Sequence, residues 1–81
     1  MDTSTKRLRR VLAKALDAAT PTLREIARSA RITYYAIRQY RRGERAPSGD
    51  VVRRLVAALR AHAQRVLRNA EDLEREADRN P

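Results

Sequence analysis

Between Thr22 and Gly43 the sequence TLREIARSARITYYAIRQYRRG joins two short helical patterns through a turn too tight for a loose hairpin. That junction restricts the fold more than any other feature, because two helices crossing so soon need a small residue where they touch. Ala27 supplies it, inside an inward stripe of Leu23, Ile26, Ala27 and Ala30. Thr22 and Glu25 have the spacing of a capping box, in which Thr22 caps the backbone amides and Glu25 reaches back. Arg31 and Ile32 form the turn, with Ile32 plugging the corner, and Thr33 caps the next helix. Gly43 closes that helix, since glycine takes a left-handed C′ conformation without penalty. The expected ranges are 23–30 and 33–42.

All three tyrosines lie in the second pattern, and the chain has no Phe and no Trp. At about 100° per residue, with Tyr34 at 0°, the residues Ala36, Ile37 and Tyr40 fall at about 200°, 300° and 240° and make one apolar face. Arg38, Arg42 and Tyr35 fall near 40°, 80° and 100°, flanked by Tyr34, Gln39 and Arg41. Tyr34 and Tyr35 are thus expected to point away from the core. A face of cations, phenols and an amide suits base edges and phosphates: Arg bidentate to guanine, Gln bidentate to adenine, Tyr to phosphate or the apolar surface of thymine. A solvated polar face is the plain alternative, and the preceding helix and turn weigh against it.

A small residue in the first helix, an apolar corner, a capping hydroxyl and an apolar residue four positions on form a helix-turn-helix pattern. From about Thr22 to Leu59, through the loop RRGERAPS and the run VVRRLVAAL, the chain resembles the lambda-repressor/Cro-like (XRE-type) helix-turn-helix family. It departs from the family at Leu23, where Gln is usual, at Arg31, where the turn usually has Gly, and at Arg41, where Glu is usual. The Arg31 departure implies a non-glycine residue at or near positive φ, a modest strain. The resemblance implies base contacts at Tyr34, Tyr35 and Gln39, to which the helical face adds Arg38 and Arg42. Phosphate contacts are expected from Thr22, Thr33, Arg42, Arg45 and Ser48, helped by helix N-termini.

The rest of the chain fits an all-α fold, a compact four-helix domain over residues 1–60 with a helical extension over 61–81. Pro21 separates the first two helices, Gly43 and Pro47 bracket a loop, Gly49 lies in a first turn, and Pro81 is terminal. A first helix, about Thr5 to Ala19, shows Leu8, Val11, Leu12, Ala15 and Leu16 on one side and Lys6, Arg7, Arg9, Arg10 and Lys14 on the other. Ser48 caps the fourth helix, Asp50 suits its positive N-terminus, and Val52, Leu55, Val56 and Leu59 continue the core.

From Asp50 to Arg79 neither Pro nor Gly interrupts a run of good helix formers. Leu59, Ala63, Val66, Ala70, Leu73 and Ala77 repeat at spacings of 4, 3, 4, 3 and 4, the alternation of a coiled-coil seam, with alanines that let helices approach closely and Leu67 widening the stripe. The expectation is a homodimer held through Leu59, Ala63, Val66, Ala70 and Leu73. A bend near residues 60–62, with a fifth helix folded back on the same chain, is the alternative.

Charge is distributed unevenly. Residues 1–47 carry twelve Lys or Arg against four Asp or Glu, whereas residues 48–81 carry seven against six. Of the net charge of +9, all but +1 therefore lies in the half that holds the helix pair, the electrostatic footprint of a polyanion-binding face. With 81 residues and a small core, the chain belongs among domains that gain stability by association. No cysteine is present, hence no disulfide, thiolate metal site or cysteine nucleophile. No apolar run approaches the ~20 residues of a membrane span, and no secretory signal opens the chain, so a cytoplasmic, nucleoid-associated protein with no membrane partner is expected.

His62 is the only histidine and lacks a ligand partner at metal-binding spacing. Glu71, Asp72, Glu74, Glu76 and Asp78 lie beside Arg68, Arg75 and Arg79 on a terminal helix and read as a solvated ion-pair face. No catalytic residue, metal site, cofactor or small-molecule ligand is expected, and the chain is not expected to be an enzyme. Two functions fit: a DNA-binding regulator working as a homodimer on a palindromic operator, or an adaptor or antitoxin-like protein whose last helix binds a different protein.

Overall fold

The computed structural model describes residues 3–20 and 22–79, apart from the side chains of 3–5; Pro21 and Pro81 lie outside the described residues. The described chain is all-helical: α1 (Thr3–Ala18), α2 (Leu23–Ala30), α3 (Tyr34–Arg41) and α4 (Gly49–Arg79). Helix α1 packs on α3, and α2 packs on both α3 and α4. Leu16, Ile26, Ile37 and Leu55, one from each helix, are fully buried at the centre, and Leu12, Leu23, Ala27, Ala30, Tyr40 and Ala58 surround them. Four such large side chains each contribute about 1.5–3 kcal/mol on burial, and together they hold the helices as one unit.

The two short helices end in the same way. Arg31 sits in the left-handed region at φ 60°, and Gly43 at φ 73°. In each case the next amide reaches back five residues, Ile32 N to Ala27 O and Glu44 N to Gln39 O, both at 3.0 Å. A second bond runs from Arg31 N to Arg28 O and from Gly43 N to Tyr40 O. This is the Schellman pattern, which satisfies the last carbonyls of a helix. The positive φ expected at Arg31 is thus present, and Ile32 packs half-buried against the core at the corner. From α4, the guanidinium of Arg54 donates to the carbonyls of Ala30 and Arg31 at 3.1 and 3.2 Å, closing the end of α2 a second time.

Two expectations are corrected. The capping box at α2 does not form. The Thr22 hydroxyl instead donates to Ala19 O at 2.6 Å, a carbonyl that also accepts from Thr22 N at 2.8 Å, and Thr22 at φ −91°, ψ 13° lacks the extended backbone that a capping residue takes. Val56, expected to continue the core, is exposed, as is Val11 from the apolar side of α1, while Ala58 is buried. The reason is that α1 leans on α3 and leaves an apolar groove between itself and α4, lined by Leu8, Val11, Ala15, Val52, Val56 and Leu59. Helix α4 runs unbroken from Gly49 to Arg79, which removes the alternative of a bend at residues 60–62 with a fifth helix folded back.

The 31 residues of α4 span about 46 Å, and the molecule measures 57 × 23 × 19 Å. Arg65 comes within 3.9 Å of Glu25, the last tether to the domain. Every residue from 63 to 79 is exposed, including Val66, Leu67 and Leu73. Arg75 pairs with Asp72 and Arg79 with Glu76 along this stretch, the solvated ion pairs expected there. Among the described residues, no helix is long and apolar enough to cross a membrane.

Candidate nucleic-acid interface

The exposed side of α3 follows from its anchoring. Ile37 and Tyr40 are buried and Ala36 is packed beside them, so α3 cannot rotate without emptying the core. Thr33 starts the helix, its hydroxyl accepting from Ala36 N at 3.0 Å. That bond uses a lone pair and leaves the hydroxyl proton free to donate outward. Ser48 does the same at the start of α4, accepting from Val51 N at 3.3 Å. Thr22 differs: its proton is already donated to Ala19 O, so a phosphate contact through that hydroxyl would require breaking a 2.6 Å bond.

On the outward side, Tyr35 is 70% exposed. Gln39 Nε2 lies 3.4 Å from the Tyr35 hydroxyl, and Arg45 Nη1 lies 3.5 Å from Gln39 Oε1. A chain of three polar side chains, drawn from both ends of α3 and the loop after it, therefore presents itself together. Arg45 is also 6.0 Å from the Tyr40 ring centroid. The expected base-reading pair of Tyr35 and Gln39 is thus in contact with Arg45, a residue assigned to phosphate.

Tyr34 does not point away from the core as Tyr35 does. Its ring is half-buried against the core, with the Arg24 guanidinium 4.5 Å from its centroid and that of Arg38 6.0 Å away. The cause is its place at the first residue of α3, where the start of α2 lies close. Arg24 was not singled out from sequence. An Arg just inside the first turn of α2 carries no periodic signal, and its proximity to Tyr34 depends on the crossing of two helices.

Arg38, Arg41 and Arg42 border one concavity at the C-terminal half of α3. Arg41, however, is held at 3.0 Å by Asp17 of α1, which ties α1 to α3 and reduces its charge toward a ligand. Arg42 lies 4.0 Å from Glu44 and also borders a second basic groove, formed with Lys6, Arg9 and Arg10 of α1. The fold brings that basic edge of α1 beside the end of α3. The i, i+3, i+4 spacing of Lys6, Arg9 and Arg10 was the available signal, but nothing in the sequence fixed which neighbour they would meet.

The seam residues are arranged differently. Leu59 is half-buried at the rim of the α1–α4 groove, whereas Ala63, Val66, Ala70 and Leu73 lie exposed on the projecting part of α4. His62 is half-buried, and its Nδ1 has no hydrogen-bond partner among the described residues. No group of side chains among the described residues could hold a metal ion. In comparisons with known proteins, no family model, curated protein or solved structure matches the chain significantly.

Proposed function

We propose that the chain is a sequence-specific double-stranded DNA-binding transcriptional regulator, a repressor or autoregulator of lambda-repressor-like helix-turn-helix type, acting as a homodimer on a palindromic operator. One observation carries this reading. A short helix with a fully anchored inner face presents Tyr35, Arg38, Gln39 and Arg42 outward, next to Arg45, on the basic half of the chain. In this reading α3 enters the major groove, with Tyr34 supporting and Tyr35, Arg38 and Gln39 reading bases. Thr33, Ser48, Arg42 and Arg45 hold phosphates, and the basic edge of α1 extends that contact along the backbone. The left-handed turn at Arg31 supports the family resemblance, since it joins α2 to α3 without a long loop.

The test is a salt titration on duplex DNA after selection of a preferred site from random duplexes. Six to ten phosphates neutralised per dimer give a log–log slope of about −5 to −9. A slope near zero between low and physiological salt ends the DNA reading. The projecting, apolar-striped half of α4 also favours a second reading, an adaptor or antitoxin-like protein whose last helix binds a different protein. A chain that stays monomeric alone, and dimerises with no copy of itself, supports that second function.

A further inference from the structure

The 4, 3 spacing that runs from Leu59 to Ala77 continues backward through Val56 and Val52, into the domain itself. Val56 is 41% exposed, and Val52 lines the groove between α1 and α4 with Leu8 and Val11. The groove and the free seam are therefore one continuous apolar strip, part of it on a folded domain and part on a helix standing in water. The face of α4 that meets α2, marked by Ala58, Ala61 and Arg65, lies on the other side of the helix. Among the described residues, the α4 part of the strip is exposed apart from Val52 and Leu59, which are half-buried.

We infer that its occupant is a second copy of this chain lying antiparallel, with the C-terminal half of each α4 seated in the α1–α4 groove of the other. Charge decides the direction. Residues 51–68 hold five Arg and no acid, whereas residues 69–79 hold five Asp or Glu and two Arg. A parallel pair sets each acidic end beside its own copy, which repels; an antiparallel pair sets each acidic end along the basic half of its partner. Exposed basic side chains are available on both helices that form the groove, Arg53 and Arg60 on α4 and Arg7 and Lys14 on α1.

The register follows from matching the strip to itself in reverse. Leu73 of one chain meets Val56 of the other, Ala70 meets Leu59, and Val66 meets Ala63, large against small in the central layers. The flanking positions then bring Arg53 against the partner's Glu74, twice by symmetry. Neither residue makes an ion pair among the described residues. On the opposite flank the partner's Asn69 comes beside His62, whose Nδ1 lacks a partner in the single chain. A parallel pair puts Leu67 there instead. In this register the two domain-embedded parts of α4 are offset by about 30 Å along the helix axis, close to the ~34 Å between half-sites one turn of DNA apart. The inference deepens the homodimer of the proposed function and needs no DNA to be tested.

Because the chain has no cysteine, disulfide trapping starts from a clean background. Full-length Leu73→Cys and Val56→Cys variants are oxidised separately and as an equal mixture. The antiparallel pair predicts that the mixture is trapped mainly as the mixed dimer, with little self-linked product from either variant alone. Self-linking of Leu73→Cys overturns it, as does a wild-type chain that sediments as a monomer at micromolar concentration. As a second measurement, Glu74→Arg weakens association about tenfold and Arg53→Glu in the same chain restores it; failure of the restoration also overturns the register. Both residues are exposed, and circular dichroism verifies that each variant keeps its helices. With no DNA in any arm, a dimer trapped in another direction or register leaves the regulator reading standing, whereas a monomeric wild type counts against both.

Discussion

The guanidinium of Arg24 lies 4.5 Å from the centre of the Tyr34 ring, so a side chain from the first turn of α2 covers the first residue of α3. A cation over an aromatic face at a partly exposed site contributes about 0.5–1 kcal/mol. Arg24→Ala is therefore expected to lower Tm by about 2–8 °C in a domain of this size. An unchanged Tm in a calorimetric scan means that the stack contributes nothing.

Base reading and phosphate anchoring separate by mutation. Arg38→Ala or Gln39→Ala costs about 1–3 kcal/mol on the preferred site and little on random DNA. Arg45→Ala weakens both and flattens the salt slope by about one unit. The Arg45–Gln39 contact at 3.5 Å adds a coupling: the double variant loses less than the sum of the singles, by about 0.5 kcal/mol or more. Equal losses on specific and random DNA for Gln39→Ala and Arg38→Ala show that the reading face is misassigned.

Arg31 occupies at the end of α2 the left-handed position that Gly43 occupies at the end of α3. The side chain costs about 1–2 kcal/mol there, partly offset by the greater unfolded-state freedom of a glycine. Arg31→Gly is expected to stabilise the fold by about 0.5–1 kcal/mol, read as a higher midpoint in urea. The Arg54 clasp survives, because it holds main-chain carbonyls.

Val66 stands 52% exposed in the seam. Val66→Asp places a carboxylate where pairing would desolvate it, at a cost of several kcal/mol, and is expected to split the dimer. The core of Leu12, Leu16, Ile26, Ile37 and Leu55 is untouched, so the domain keeps its helical circular dichroism. A dimeric Val66→Asp variant in the ultracentrifuge means that the seam is elsewhere.

The legible parts of this chain were those fixed by local rules. Period and punctuation marked four helices and Thr33 and Ser48 as caps, because each depends on residues a few positions apart, whereas the positive φ of Arg31 was implied by the family resemblance. Where two elements compete for one group, the sequence was less informative. The Thr22 hydroxyl had two candidate partners, the amides of α2 and the carbonyl of Ala19, and only the path of the chain between α1 and α2 selects the second. Val11 and Val56 look like core residues by periodicity, yet the tilt of α1 onto α3 leaves them outside. In the candidate site, the outward face of α3 was readable from helical angles, but Arg24 on Tyr34, and Lys6, Arg9 and Arg10 beside Arg42, depend on helix crossings.

That α4 passes without interruption from Leu55 in the core to Arg79 makes it a lever. Arg54 clamps it to the end of α2, and Arg65 reaches toward Glu25, so the rod and the α2–α3 pair turn together. Its free arm beyond residue 62 is about 25 Å long, and a 10° tilt of the domain sweeps the tip by about 4 Å. Whatever grips the tip therefore fixes the attitude of α3 in space, which a flexible tether of the same length could not do.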